Sequence, residues 1–387
     1  FFFQAEDGIR DVERSRGRGD VYKRQNEMTF KERFKNLSPL EKAQLKDILW
    51  IQLNEEYERR PAKTIKEFIE SEYYLNAKDE CWDTIKDILQ DFYESKKHIG
   101  VFIMPPGAGK SYLSSIIASY EVHKLLCLKE PHKKLGLAKG SNIAVMNMSQ
   151  NGLQARKVVF GEIKARIENS FWFRAFFQPN PDKKSELEFS KNIFIIPGNS
   201  SETNPFGYNL VVVIMDEVAW WEMTNEKDYV KDTFETLEKR LGNRYGNKWN
   251  WKIVLISNPS YPDRYIESLI ERPDVFGVRK AIWEVKPWLF SNEFVIWQDK
   301  WKIPKELEET ARENPDIFKR DMLGIPSEVI KPWLINREAL KKVISENKNP
   351  IKNGFIDWEE AKKKLSLIHI SEPTRPLYIS YAVFCLK

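Results

Sequence analysis

Cysteine and histidine are scarce in this chain, at three and four among 387 residues. No C-x-x-C pair and no histidine cluster occurs in it. That argues against a disulfide framework or a structural zinc, and a reducing cytoplasm fits such a composition. No apolar run approaches the length of a membrane span and no signal-peptide pattern is visible, so no membrane partner is expected. Neither sign of charge dominates: 62 Lys and Arg stand against 57 Asp and Glu, a net charge of +5. Bulk charge therefore neither demands nor excludes nucleic acid, and any such contact must come from local patches.

Both ends lack a folding pattern. Residues 1–25 mix clustered Phe with charge and show no helix or strand period, and residues 366–387 read as an apolar segment without a partner. Both resemble translated sequencing adapter and are expected to lie outside the fold. They hold eight of the basic and six of the acidic residues, so the remainder carries +3. They also hold Cys385, which leaves Cys81 and Cys127.

What is present is concentrated in two stretches. Ile99–Met104 is a short apolar run suited to one buried strand, and it leads into Pro105-Pro106-Gly107-Ala108-Gly109-Lys110-Ser111 and a helical pattern from Tyr112 to about Leu128. Strand, Gly-rich turn and helix is the context of a phosphate-binding loop. Gly107 and Gly109 allow a tight turn whose N–H groups converge on one phosphate, where the helix N-terminus adds partial positive charge. Pro106 to Tyr112 are thus the expected nucleotide-binding residues, namely Pro106, Gly107, Ala108, Gly109, Lys110, Ser111 and Tyr112. Lys110 would reach the β- and γ-phosphates of ATP, and Ser111 would hold Mg²⁺. The full pattern asks for Gly where Met104 stands, and Pro105 and Pro106 donate no N–H. The ordinary alternative is a chance Gly-Lys-Ser turn.

Leu210–Met215 is a continuous apolar run, as in a parallel strand covered on both faces, and Asp216 and Glu217 close it. Ligands bind at that end of open α/β sheets. Asp216 suits the second Mg²⁺ position, and Glu217 suits the role of base toward an attacking water. An acidic helix start would look the same. A third apolar strand ends in Ser257-Asn258-Pro259, where a polar side chain could sense the γ-phosphate, or simply begin a turn.

Ser38-Pro39-Leu40-Glu41 is a capping box that predicts a helix to about Arg59, with Ala43, Ile48, Leu49 and Leu53 on one apolar face. Further helices are expected at 64–74 and 79–93, making 26–95 a helical lead-in to an ATPase domain over 96–330. Tyr73 and Tyr74 could stack on adenine, though such aromatics are more often core. Trp220 and Trp221 read as packing. Strands are predicted at 99–104, 142–148, 193–197, 210–215, 252–257 and 278–283. Helices are predicted at 111–127, 151–169, 228–241 and 261–271, and the 181–191 segment as an exposed loop. After Trp288 the chain reads as helical. The alternation gives an α/β fold with a mostly parallel sheet flanked by helices, of the P-loop class that places a catalytic Glu beside the Walker-B Asp.

In order and spacing, these motifs resemble the ATPase half of a tailed-phage terminase large subunit, over roughly residues 65–345. The resemblance includes Asn147–Gln150 with Gln154, Ala155, Val159 and Phe160, and Ile196–Ser201 with Gly207 and Tyr208. It continues through Ile256–Ser260, Ile282–Pro287 and Phe318–Pro326. It implies an ATP-driven motor that moves double-stranded viral DNA through a capsid portal in the host cytoplasm. Such a motor works with a procapsid and a terminase small subunit, and commonly as a homo-oligomeric ring. A nuclease domain would follow, with 331–365 as the linker toward it, and no strand bearing a metal-binding Asp follows Pro326. The family often carries an arginine in or beside its phosphate loop, where this chain has Pro105 and Pro106. Arg240, Arg244 or Arg156 would then supply it. Two other readings stay open: a helicase-like DNA-dependent ATPase, and a nucleotide-binding interaction module that does not hydrolyse.

Overall fold

The computed structural model describes residues 35–149, 159–183, 185–199, 207–222, 228–246 and 248–327, with the backbone of 351–352 and 355–356. The expectations for 1–25 and 366–387, and for Arg156 and the helix over 151–158, lie outside these residues. So does the linker 331–365, except for a short antiparallel pairing of Ile351–Lys352 with Phe355–Ile356.

Seven strands form one sheet in the order β3-β4-β2-β5-β6-β1-β7. They are β1 (Ile99–Ile103), β2 (Ile143–Ser149), β3 (Leu187–Phe189), β4 (Ile193–Asn199), β5 (Asn209–Asp216), β6 (Lys252–Ser257) and β7 (Val275–Arg279). All neighbours run parallel except β3 against β4. β1, β2 and β6 are buried along their whole length, as the near-continuous Val/Ile/Leu runs require when helices cover both faces. The pairing aligns Ile103 with Ser257, and Asp216 with Ile256, so three strands end at one level. No helix among the described residues is long and apolar enough to cross a membrane.

The lead-in helices are α1 (Pro39–Leu53), α2 (Ile65–Glu70) and α3 (Asp83–Glu94). The capping box forms as expected, with Ser38 and Glu41 exchanging backbone contacts. The apolar face forms only in part: Ala43, with Leu40, packs against the core, while Ile48, Leu49 and Leu53 are exposed, Leu53 by 84%. α1 also docks through a carboxylate. Asp47 is buried and accepts hydrogen bonds from the Tyr73 hydroxyl (2.8 Å), the Arg60 amide (2.5 Å) and Arg59 (3.3 Å). Tyr74 is fully buried and donates to the Arg60 carbonyl. Both tyrosines are therefore core, not an adenine platform.

Three other expectations are corrected. The strand placed at 278–283 is Val275–Arg279, because register with β1 ends it there, and the Glu284 carboxylate then takes the Ala281 amide to start a helical turn over Ile282–Val285. The 181–191 loop contains β3, whose Leu187 and Phe189 are buried against β4 beneath the charged residues around them. The stretch after Trp288 opens with a hairpin of β8 (Phe294–Trp297) and β9 (Trp301–Pro304), turned by positive φ at Gln298 and Asp299, and turns helical as expected over Glu308–Glu313 and from Pro315 to Leu323.

Candidate nucleotide site

β1 ends at Ile103, and the chain turns through Pro105–Gly109 into α4 (Lys110–Cys127). Gly107 and Gly109 sit at φ 73° and 78°, the left-handed region that side-chain-bearing residues rarely adopt. Gly109 is also crowded, since a Cβ there would stand 3.0 Å from the Trp82 indole. Gly109 caps α4 with no side-chain hydrogen bond, so the first amides of the helix are left for an incoming acceptor. α4 is buried nearly all round, which fixes this end firmly in the domain.

Lys110 opens the helix and is itself 9% exposed. Its ammonium donates to the carbonyls of Met104 (3.0 Å) and Pro105 (2.6 Å). Burial pulls its pKa down to about 8, against the opposite pull of Asp216 and Glu217. Asp216, 5% exposed at the end of β5, moves the other way. Burial, and then repulsion from Glu217, pushes it up to about 6. β6 lies between β1 and β5, so the loop and the carboxylates stand two strand spacings apart, about 10 Å.

Glu217 takes a left-handed conformation (φ 52°, ψ 35°) that reverses the chain into a short turn over Val218–Trp220. For a residue with a Cβ that is a strained geometry, and neighbouring contacts enforce it. The Ala219 amide donates to the Ser257 hydroxyl (3.1 Å), and the Ser260 hydroxyl donates to the Ala219 carbonyl (3.1 Å). Trp221 is buried and donates its indole N–H to the Asp216 carbonyl (2.9 Å). Ser257 also accepts the Met104 amide through its carbonyl (3.2 Å).

Most of the expected residues are thus gathered at one edge of the sheet, with three adjustments. Ser257 is fully buried and its hydroxyl is committed to Ala219, so it links strand and turn where a nucleotide contact was expected. Asn258 follows it with a buried Oδ1 that has no hydrogen-bond partner among the described residues. Tyr112 lies under the Arg166 guanidinium (4.0 Å to the ring), which in turn binds Glu80 and Glu162. Arg240 and Arg244 are not brought to the loop. They line a small cavity with Tyr208 and Leu210 at the start of β5, and six residues of extended strand, about 20 Å, separate Leu210 from Asp216.

Two residues at the loop escape sequence reasoning. Trp82 precedes α3 and lies against Gly109, and Lys286 follows the Ile282–Val285 turn with its ammonium 4.5 Å from the centre of the Trp82 ring. Nothing local in the sequence marks either, because the fold brings them together across about 200 positions.

The donor set suits a nucleotide and its metal together. No group of three or more His, Cys, Asp or Glu side chains among the described residues could hold a metal alone. Ser111 and Asp216 are of the type that would supply two oxygen ligands to a Mg²⁺ taking its remaining ligands from phosphates and water. Positive φ at both loop glycines and the uncapped start of α4 are what a triphosphate would use.

A comparison with the curated proteins finds no match. Among solved structures, the chain is similar to the large terminase ATPase domain of Thermus phage P74-26, at 16% identity, covering 70% of this chain and 99% of that one with a TM-score of 0.43. It is also similar to the large terminase of bacteriophage HK97, at 14% identity, covering 68% of this chain and 54% of that one with a TM-score of 0.46. The large terminase of the thermophilic bacteriophage D6E, determined with ADP, gives 12% identity, coverage of 63% and 53%, and a TM-score of 0.39. The matches thus span about half the length of the HK97 and D6E proteins. The family described as "Uncharacterized protein MJ0330, N-terminal P-loop domain" matches residues 26–301, and with the phosphate loop and parallel sheet in place, the chain belongs to that family of P-loop domains.

Proposed function

We propose that this site binds ATP with Mg²⁺ and hydrolyses it. The observation that carries the reading is the shared level at which β1, β6 and β5 end. It sets Lys110 and Ser111 on one side of β6 and Asp216 and Glu217 on the other. Residues 107–111 cradle the phosphates through backbone amides, and Lys110 exchanges its two carbonyl acceptors for phosphate oxygens. Bound Mg²⁺ supplies charge neutralisation of the phosphates, with Ser111 and Asp216 as its protein ligands. Glu217 orients a water and takes its proton, held in place by the strained turn that Ser257, Ser260 and Trp221 fasten.

The wider role follows from the ordered sequence motifs. We read the chain as the motor portion of a DNA-packaging terminase, acting on double-stranded DNA as one subunit of a ring. Its portal, procapsid and small-subunit partners, and its host-cytoplasmic setting, are part of the same proposal.

Glu217→Gln tests the chemistry. ATP turnover should fall by about two orders of magnitude or more, the contribution of a positioned base, while ATP affinity stays within about threefold. Turnover equal to that of the unaltered protein would sink the assignment. Retained ATP binding with no hydrolysis by the unaltered protein, with or without duplex DNA, would favour the non-hydrolysing module, a reading that Pro105 and Pro106 keep in view.

A further inference from the structure

The loop has lost two backbone donors to Pro105 and Pro106, and Arg240 and Arg244 stand at the opposite end of β5 from Asp216. A cation is nevertheless in place. The Lys286 ammonium lies 3.9 Å from the point where a Cβ on Gly107 would stand, at the crest of the loop. Its own backbone is fixed: the Lys286 amide donates to the Ile282 carbonyl (2.8 Å), and the Thr84 hydroxyl donates to the Glu284 carbonyl (3.3 Å). Those bonds pin the Ile282–Val285 turn against the start of α3, beside Trp82. The side chain rests on the Trp82 face, and Trp288 meets the same indole edge-on at 5.5 Å. Among the described residues Lys286 makes no salt bridge.

We propose that Lys286 is a second phosphate-binding cation of this site, held on Trp82 until a nucleoside triphosphate arrives. The inference rests on the nucleotide reading above and adds to it the group that replaces the missing donors. An ammonium on an indole face is held less strongly than one bonded to a phosphate oxygen, so a triphosphate at Gly107 draws it off the ring. A four-carbon stem with free rotation covers the short distance between the two positions. Lys110 stands at the Met104 and Pro105 carbonyls and Lys286 beside Gly107, so the two cations would grip different oxygens.

The test is calorimetric titration of the full chain with Mg²⁺ and ATPγS, using the unaltered protein, Lys286→Ala, Lys286→Arg and Lys110→Ala. Lys286→Ala should bind about tenfold more weakly, the loss expected for one charge-assisted hydrogen bond. Lys286→Arg should recover most of that affinity, and the thermal midpoints of the free proteins should coincide. Equal affinity in the unaltered protein and Lys286→Ala would overturn the proposal and leave the site standing. A lowered midpoint in Lys286→Ala, or equal loss in Lys286→Arg, would make Lys286 a structural residue and overturn it as well. Indifference of both the unaltered protein and Lys110→Ala to ATPγS would remove the nucleotide site itself, and this assignment with it.

Discussion

The hydroxyl of Ser257 accepts the amide of Ala219 at 3.1 Å, while the Ser257 carbonyl accepts the amide of Met104 at 3.2 Å. One residue at the end of β6 therefore touches both the phosphate loop and the turn that carries Glu217. Substituting it should separate chemistry from binding.

Ser257→Ala leaves the buried Ala219 amide without its acceptor, at a cost of about 1–3 kcal/mol in stability. The strained Glu217 conformation loses one of its restraints, so kcat should fall by about tenfold or more with little change in nucleotide affinity. Denaturant unfolding together with steady-state ATPase rates checks both halves. A loss of affinity with kcat unchanged would mean the contact serves binding instead.

Gly109→Ala should be far more damaging than Gly107→Ala. Both residues have positive φ, which costs an added Cβ about 1 kcal/mol or more. At Gly109 the Cβ would also stand 3.0 Å from Trp82, whereas at Gly107 it meets only the end of the Lys286 side chain, at 3.9 Å. Nucleotide titration and thermal unfolding of the two variants should rank them in that order.

Asp216 gives a pH signature. Its carboxyl is raised from 3.8 to about 6 on folding, so the folded protein holds that proton more tightly than the unfolded chain. Stability is consequently lost as pH rises from about 4 to about 6 and stays lower above that range. Lys110, lowered from 10.5 to about 8, works in the opposite sense: stability is regained as pH rises from about 8 to about 10.5. Asp216→Asn should flatten the acid limb and, without Mg²⁺, raise stability at pH 7 by up to about 3 kcal/mol while weakening Mg²⁺-dependent nucleotide binding. Unfolding curves for the two proteins across pH 4–8 decide it, and parallel curves would refute it.

The fold was legible where a segment's own pattern decided its structure. β1, β2, β5 and β6 are apolar runs that must be covered on both faces, and they stand within a residue or so of their expected bounds. The loop glycines and the carboxylate pair were legible for the same reason. Segments decided by distant partners were not. Leu187 and Phe189 become a strand only because β4 offers an open edge, and β7 ends where β1 ends. Asp47 looks like a surface residue of α1 until Tyr73 and the Arg60 amide surround it. Arg240 and Arg244 close a helix that runs back between the parallel strands β5 and β6, so the crossover returns them to the start of those strands, opposite Asp216, a constraint the motif reading did not apply. Trp82 and Lys286 were missed because only the folded chain makes them neighbours.

The two carbonyl bonds of Lys110 set a threshold for entry. The chain supplies its own acceptors to this ammonium, so an anion binding at the loop would compete with the protein for it. That competition would favour an anion able to replace both carbonyls and to reach the helix amides as well, a demand made of a ligand before any base is read.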